Sequence, residues 1–330
     1  TWDFLMEGTR TAHLPTVRRQ AYWRMLVDIL RFNREMTALH GEGRVSAMSL
    51  GEYLDRGGYR PAFRDWYLLP MTGAIWSSPR RDVLDFPLPA FVRFCHNHGL
   101  LQLFDRPQWR TVLGGSRTYV DKIVAALPDV RVATPVTRVL RERNGVTVDS
   151  PSMRNERFDA VVMACHSDQS LALLQDASPA ESSWLASVRY QPNRVVLHTD
   201  KRLLPRSPRT WSAWNYLAVD DASGDRPVAV SYLINALQPL PWKQPVIVTL
   251  NPPFDPAPGT VIEEFEYSHP LMDGRAIAAQ DRFAGVQGVR NTWFAGAWLG
   301  YGFHEDGLAS AHAVADDIAR ATAGTLRAAA

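Results

Sequence analysis

Residues 291–318 read NTWFAGAWLGYGFHEDGLASAHAVADDI, and this stretch decides how the rest of the chain is understood. Its first apolar run, 292–295, has the pattern of a short buried strand. A glycine-rich loop follows, carrying Gly296, Gly300, Gly302 and Gly307. Small residues then recur at helical spacing: Ala309, Ser310, Ala313, Val314 and Asp317. A strand, a glycine turn and a helix of small residues together make a place for an anion or a cofactor. Glycine lets the backbone approach a ligand closely, and a helix N-terminus offers unpaired N–H groups and a positive dipole end.

This segment closely resembles the C-terminal flavin-binding segment of FAD-dependent oxidoreductases of the amine oxidase and phytoene desaturase superfamily. Within it the segment closely resembles the subgroup of bacterial proteins usually called predicted NAD/FAD-binding proteins. Residues 70–80 (PMTGAIWSSPR), 91–101 (FVRFCHNHGLL) and 106–120 (RPQWRTVLGGSRTYV) resemble signatures of that subgroup, in order along one chain. The resemblance runs from residue 1 to about residue 320. It implies that Gly296, Ala297, Gly302, Phe303, His304, Glu305, Asp306, Gly307 and Leu308 lie along the flavin, and that Val136 holds adenine through its backbone. The helix N-terminus would stabilise the negative charge of a reduced flavin at N1–C2=O. Catalytic residues are not assigned by the resemblance; His304 is a weak candidate for proton transfer. Glycine at 307 is expected to give the backbone room, with a positive φ as one way of using it.

Two departures from the family pattern matter. Superfamily members open with a strand, a G-x-G-x-x-G turn and a helix, then an acidic residue on the adenosine ribose. No G-x-G-x-x-G occurs in this sequence, and Gly57-Gly58 and Gly114-Gly115 lack the spacing. Many members also place an acidic residue directly after the AG of the last strand, where this chain has Ala297 and then Trp298. The expectation is an N-terminally truncated member. FAD, held by intact relatives, is then weak or absent here, and an uncovered strand edge favours self-association.

The expected fold class is α/β (α+β): an incomplete FAD-binding Rossmann-like domain interleaved with a substrate domain of mixed sheet and helices. The expected boundaries are a helical part of the substrate domain at 1–111, an FAD-domain segment at 112–174, the sheet part of the substrate domain at 175–286, and a C-terminal FAD-domain segment at 287–330. The implied activity is oxidation of an amine or a lipid-like substrate by hydride transfer to flavin. The alternative is a non-catalytic fragment or a module binding a lipid-like ligand without tight FAD.

Composition narrows the partners. The 330 residues carry 36 basic and 34 acidic side chains, a net charge of +2, which argues against nucleic acid. Two distant cysteines, Cys95 and Cys165, form no disulfide framework and fit a reducing cytosol. No signal peptide and no long apolar run is present, so the expected location is cytoplasmic. Cys95, His96 and His98 lack a second ligand pair at metal spacing, and no metal is expected. No G-x-S-x-G marks a hydrolase nucleophile. Lys243, between prolines, reads as an exposed loop residue rather than a partner of flavin N5.

The remaining pattern supplies elements. Residues 16–40 read as a helix with an apolar stripe of Tyr22, Met25, Leu26, Ile29, Leu30 and Phe32, and with Arg18, Arg24, Arg31 and Arg34 opposite. Such a helix packs on a core with a solvated basic face, or makes peripheral contact with an anionic membrane. Ser49 and Glu52 make a capping box. Residues 59–104 are aromatic-rich and helical, broken at Pro70, Pro79, Pro87 and Pro89. Their aromatic residues, with Trp109, Trp211, Trp214 and Tyr216, either line a substrate cavity or form core. Residues 116–127 form an amphipathic helix after a glycine turn, and 130–132 a short strand. Residues 136–148 form a hairpin around Asn144-Gly145, and 158–164 a single buried strand. Several strands rich in β-branched and aromatic residues lie within 188–267.

Overall fold

The computed structural model describes residues 16–41, 48–76, 80–102, 108, 110–217, 228–280 and 282–328. The chain divides into two compact units, Thr1–Ala126 with Gln191–His269, and Leu127–Tyr190 with Pro270–Ala330. The breaks fall at 126/127, 190/191 and 269/270, where the sequence suggested 111/112, 174/175 and 286/287.

The first unit joins helices to a sheet. Its helix Thr16–Gly41 buries Met25, Ile29, Phe32 and Met36. Helix Leu50–Arg56 starts at the expected box: Ser49 Oγ accepts from the Glu52 N–H at 3.1 Å, and Glu52 Oε2 accepts from the Ser49 N–H at 3.0 Å. Pro70 does not break the next helix, contrary to the sequence expectation. The helical run passes through it by widening into a π-turn at Arg64–Leu68 just before, closed by a bond from the Leu69 N–H to the Arg64 carbonyl. A proline ring clashes with the carbonyl four residues back, and the wider turn relieves it. Pro87 and Pro89 stand at the start of helix Leu88–Asn97, where a missing N–H costs little.

The aromatic residues divide between core and surface. Phe91, Phe94, Tyr67 and Trp76 are buried, and Trp76 stacks on Phe86 at 4.9 Å. Trp66, Trp214 and Tyr216 are exposed, and Trp109 lies outside the described residues. Helix Arg117–Ala126 forms as expected after Gly114 and Gly115, whose φ values are +83° and +79°. None of its residues is buried.

Among the described residues the strands run from β1 to β10 in chain order. The second unit holds β1 (Arg138–Glu142), β2 (Gly145–Ser150), β3 (Met153–Phe158) and β4 (Val161–Met163). The first unit's sheet is built from β5 (Arg189–His198), β6 (Trp214–Leu217), β7 (Ala229–Leu233), β8 (Ile247–Leu250) and β9 (Val261–Leu271). The last strand, β10 (Thr292–Phe294), returns to the second unit. The five-stranded sheet runs in the order β6-β7-β8-β5-β9, with β6–β7, β7–β8 and β8–β5 antiparallel.

In the second unit β1 and β2 pair around Asn144-Gly145 as expected. Gly145 is required there, since its φ is +133° and a Cβ would meet the Phe158 carbonyl oxygen at 2.6 Å. The apolar run 158–164 is not one strand. Phe158 closes β3 against β2, and β4 starts three residues later. Residues 130–132 form a loop and turn rather than a strand, with Val132 81% exposed. β4 pairs in parallel with β10, Thr292 opposite Val161 and Phe294 opposite Met163, and the Ala295 N–H extends the ladder to the Met163 carbonyl at 3.0 Å.

The glycine loop as a candidate cofactor site

Residues 292–295 are all buried, as the apolar run required. β10 is held along both edges. β4 takes one, and Gln287 takes the other: its side chain accepts from the Phe294 N–H and donates to the Phe294 carbonyl, both at 2.8 Å. Below the strand, Phe294 and Trp298 pack edge-on against Phe283 at 5.6 and 4.9 Å. Trp293 Nε1 donates to Asp317 Oδ2 at 2.7 Å, which ties the strand to the long helix His304–Ala328. That helix packs Val314 against Trp293 and Ala295.

The loop leaves β10 at Gly296. A Cβ there would lie 2.6 Å from the Trp298 Nε1 atom, so only glycine lets the buried indole fold back under the turn. Trp298 Nε1 in turn donates to the Cys165 carbonyl at 3.2 Å, at the end of β4. The Gly296 N–H is used inside the chain: it donates to Ser310 Oγ at 2.9 Å, and Ser310 Oγ donates to the Gly307 carbonyl at 2.7 Å. Ala297, Trp298 and Leu299 form a single 3-10 turn, closed by bonds from the Gly300 and Gly302 N–H groups to the Ala297 carbonyl, each at 3.0 Å.

Asp306 organises the second half of the loop. Its Oδ2 accepts from the Tyr301 N–H at 3.0 Å and from the Phe303 N–H at 2.9 Å. A Cβ on Gly300 would run into this carboxylate. On the other side Gln280 donates to the Gly300 carbonyl at 2.6 Å and to the Trp298 carbonyl at 3.2 Å. The second half of the loop is thus pinned by Asp306 as acceptor and Gln280 as donor, as Ser310 pins its start.

Gly302 is the corner, with φ +92°, a left-handed conformation that glycine adopts without steric cost. The helix begins two residues later, so His304, Glu305 and Asp306 carry first-turn N–H groups that have no helical carbonyl to receive them. His304, Glu305 and Leu308 are exposed, and Asp306 and Gly307 are partly buried. Gly307 does not have a positive φ. A Cβ there would make only ordinary contact with the Ala297 backbone, at 3.6 Å, so the crowding expected at 307 sits at 296 and 300 instead. Val136 belongs to the same compact unit but stands in a segment without regular secondary structure two residues before β1, exposed.

This donor set suits a flat group with an acceptor oxygen better than a phosphate. Glu305 and Asp306 put two carboxylates at the helix start, which disfavours a dianion there while leaving the amides and the bare Gly302 corner for an uncharged ring edge. Gln280, Gln287, Ser310 and Trp298 are the residues that a motif reading misses. Their side chains act on backbone groups distant in sequence, and only the tryptophan after Gly296 gave a local hint.

The family model for flavin-containing amine oxidoreductases matches residues 64–234, just over half of the chain. The chain belongs to that family. The matched span ends before the glycine loop, and solved structures show a likeness of fold over most of the chain. A CLA-producing fatty acid isomerase from P. acnes superposes with a TM-score of 0.59 at 17% identity, covering 91% of this chain and 75% of its own. A putrescine oxidase variant gives 0.60 at 14% identity, covering 93% and 77%. Cyclohexylamine oxidase from Brevibacterium oxydans gives 0.55 at 13%, covering 93% and 76%. No curated protein matches the chain. No described helix is long and apolar enough to cross a membrane.

Proposed function

We propose that this chain carries the substrate-binding part and the C-terminal cofactor-binding part of an FAD-dependent oxidoreductase acting on an amine or a lipid-like substrate. The observation that carries the reading is the pinned loop 296–307, which delivers a glycine corner and the first-turn amides of a 25-residue helix. In this reading the backbone from Gly302 to Asp306 lies along the pyrimidine edge of the flavin, and the Val136 backbone receives adenine. A bound flavin supplies the hydride acceptor. The chain's own part is to orient the ring and to set amide dipoles where negative charge develops on reduction. Asp306 serves the loop rather than the ligand, because its carboxylate is spent on Tyr301 and Phe303. His304 stands at the same helix end with an exposed side chain, and we assign it no proton transfer. The structural likeness to both amine oxidases and a fatty acid isomerase supports either substrate class.

The sequence holds no G-x-G-x-x-G, whose amides cradle the pyrophosphate in relatives. Two charge-assisted hydrogen bonds, each worth roughly 1.5–3 kcal/mol, are then unavailable, and FAD should bind on the order of a hundredfold or more weaker than to a complete site. Titrating the chain with FAD while following flavin fluorescence tests this. Weak saturable binding that Gly302→Val removes, with the circular dichroism unchanged, is expected. Saturable binding of a long-chain fatty acid with no flavin binding at any concentration would instead identify a ligand-binding module without a redox role.

A further inference from the structure

The helix Thr16–Gly41 carries a second apolar stripe, outside the one it buries. Trp23, Val27 and Leu30 stand at positions i, i+4 and i+7, so they share one face. They are 62%, 58% and 51% exposed. The inner face is complete without them, since Met25, Ile29, Phe32 and Met36 fill it.

The charges around this stripe are sorted by sign. Arg34 continues the stripe one turn on, and Arg24 and Arg31 run along its flank; Arg24 and Arg34 are exposed. Arg60, from the neighbouring helix start, reaches over to the Arg24 carbonyl at 3.3 Å with its side chain 46% exposed. The carboxylates turn inward. Asp28 is buried and accepts from Arg60 at 3.0 Å. Glu35 is held by the hydroxyls of Tyr53 at 2.7 Å and Tyr59 at 2.6 Å. The described outer face of this helix therefore shows apolar side chains and guanidinium groups with no exposed carboxylate of its own.

We propose that this face docks the protein on an anionic lipid surface. A tryptophan flanked by aliphatic residues and arginines is the side-chain set that settles at the headgroup level. Lysine or arginine near an anionic leaflet contributes about 1 kcal/mol each, and the apolar stripe adds shallow burial. A second copy of the chain is the poorer occupant. Three side chains expose on the order of 300 Å², against roughly 800 Å² a side in a stable protein interface, and the cations of two facing helices would repel. The proposal is independent of the flavin reading.

Co-sedimentation of the full chain with phosphatidylcholine vesicles, with and without phosphatidylglycerol, tests it. Binding should require phosphatidylglycerol and weaken as salt is raised. Arg24→Gln with Arg34→Gln should lower partitioning roughly 25-fold, since about 1 kcal/mol is a factor of about five. Trp23→Ser with Val27→Ser and Leu30→Ser should lower it at least about tenfold with helix content unchanged. Equal binding to neutral vesicles, or unchanged binding by the serine variant, overturns the proposal. So does a concentration-dependent dimer that the serine variant loses, which would assign the stripe to a second copy.

Discussion

Inside each unit the balance between apolar packing and polar clamps is different. Among the described residues, ten of the twelve largest fully buried side chains lie in the first unit: Phe32, Phe63, Phe91, Phe94, Met36, Leu50, Leu54, Leu68, Leu88 and Leu203. Only Phe294 and Leu185 lie in the second. The second unit has an apolar cluster of its own, with Val139, Phe283, Phe294 and Trp298, and adds to it polar side chains spent on its own backbone and on each other. Arg141, its side chain fully enclosed, pairs with both oxygens of buried Glu181 and with Asp176, and donates to the Asp176 carbonyl at 2.9 Å. Arg290 donates to the Arg141 carbonyl at 2.8 Å and ties this cluster to the approach to β10. Apolar volume tolerates repacking, whereas a polar clamp holds one geometry and fails when one partner is lost. A loop that must present backbone amides in fixed places needs the second kind of support.

The sharpest way to break this contrast is to remove one buried charge. Arg141→Ala should cost about 3–5 kcal/mol, because Glu181 is left buried and unpaired. Replacing both, Arg141→Met with Glu181→Leu, should cost far less. Phe91→Ala should cost a similar 3–5 kcal/mol in the first unit, through a cavity rather than a charge. Urea unfolding of the four proteins separates the cases: a double variant as unstable as Arg141→Ala would show that shape, and not charge, holds the second unit.

The same clamp predicts an acid limit. Burial alone would raise the Glu181 carboxyl, but the hydrogen bonds from Arg141 and from the Ser178 N–H outweigh it and hold the pKa down at about 2. A depressed folded-state value gives stability that is present above the ordinary glutamate range and is lost as pH falls toward about 2. Unfolding midpoints measured from neutral pH downward should therefore drop in that window, and the drop should shrink in the Arg141→Met, Glu181→Leu protein.

A smaller effect is expected at the glycine loop. Gly296→Ala should cost about 1–3 kcal/mol, since its Cβ overlaps the Trp298 ring and forces buried atoms to move. Gly307→Ala should be neutral or stabilising by up to about 1 kcal/mol, as its Cβ has room within the helix. Thermal melts of the two variants check the order, and a Gly307→Ala protein less stable than Gly296→Ala would reverse the assignment of where the turn is crowded.

The smallest effect belongs to the first unit's sheet. His198 is buried, accepts from the Asp200 N–H at 3.1 Å through Nδ1, and bonds Thr249 Oγ1 at 2.7 Å through Nε2. Thr249 Oγ1 in turn meets Ser231 Oγ at 2.7 Å, a polar thread inside the sheet. Desolvation lowers the His198 pKa, partly opposed by Asp200. A base with a depressed folded-state pKa leaves the unfolded chain binding the extra proton, so stability declines as pH falls below the usual histidine range. Replacing His198 with Gln should flatten the stability profile near pH 6, and an unchanged profile would remove His198 from the account.

Local order was largely legible in the sequence. The Ser49–Glu52 box, the Asn144-Gly145 hairpin, the glycine turn before helix Arg117–Ala126 and the buried run 292–295 are written in residues a few positions apart, where turn chemistry and periodicity act. Tertiary structure decided what depends on distant partners. The 158–164 run became two elements because Phe158 is claimed by β2, while Met163 pairs with a strand some 130 positions on. Pro70 stays inside a helix because packing stabilises the widened turn around it. Gln280, Gln287 and Ser310 became supports of the loop only when folding set their side chains against backbone groups elsewhere in the chain. By itself the sequence determined most of the chain's local elements and its family, since short-range geometry and composition are carried by neighbouring residues. Which glycines are indispensable, and which apolar stripe faces outward, depend on atoms brought close by the fold, and no spacing rule encodes those contacts.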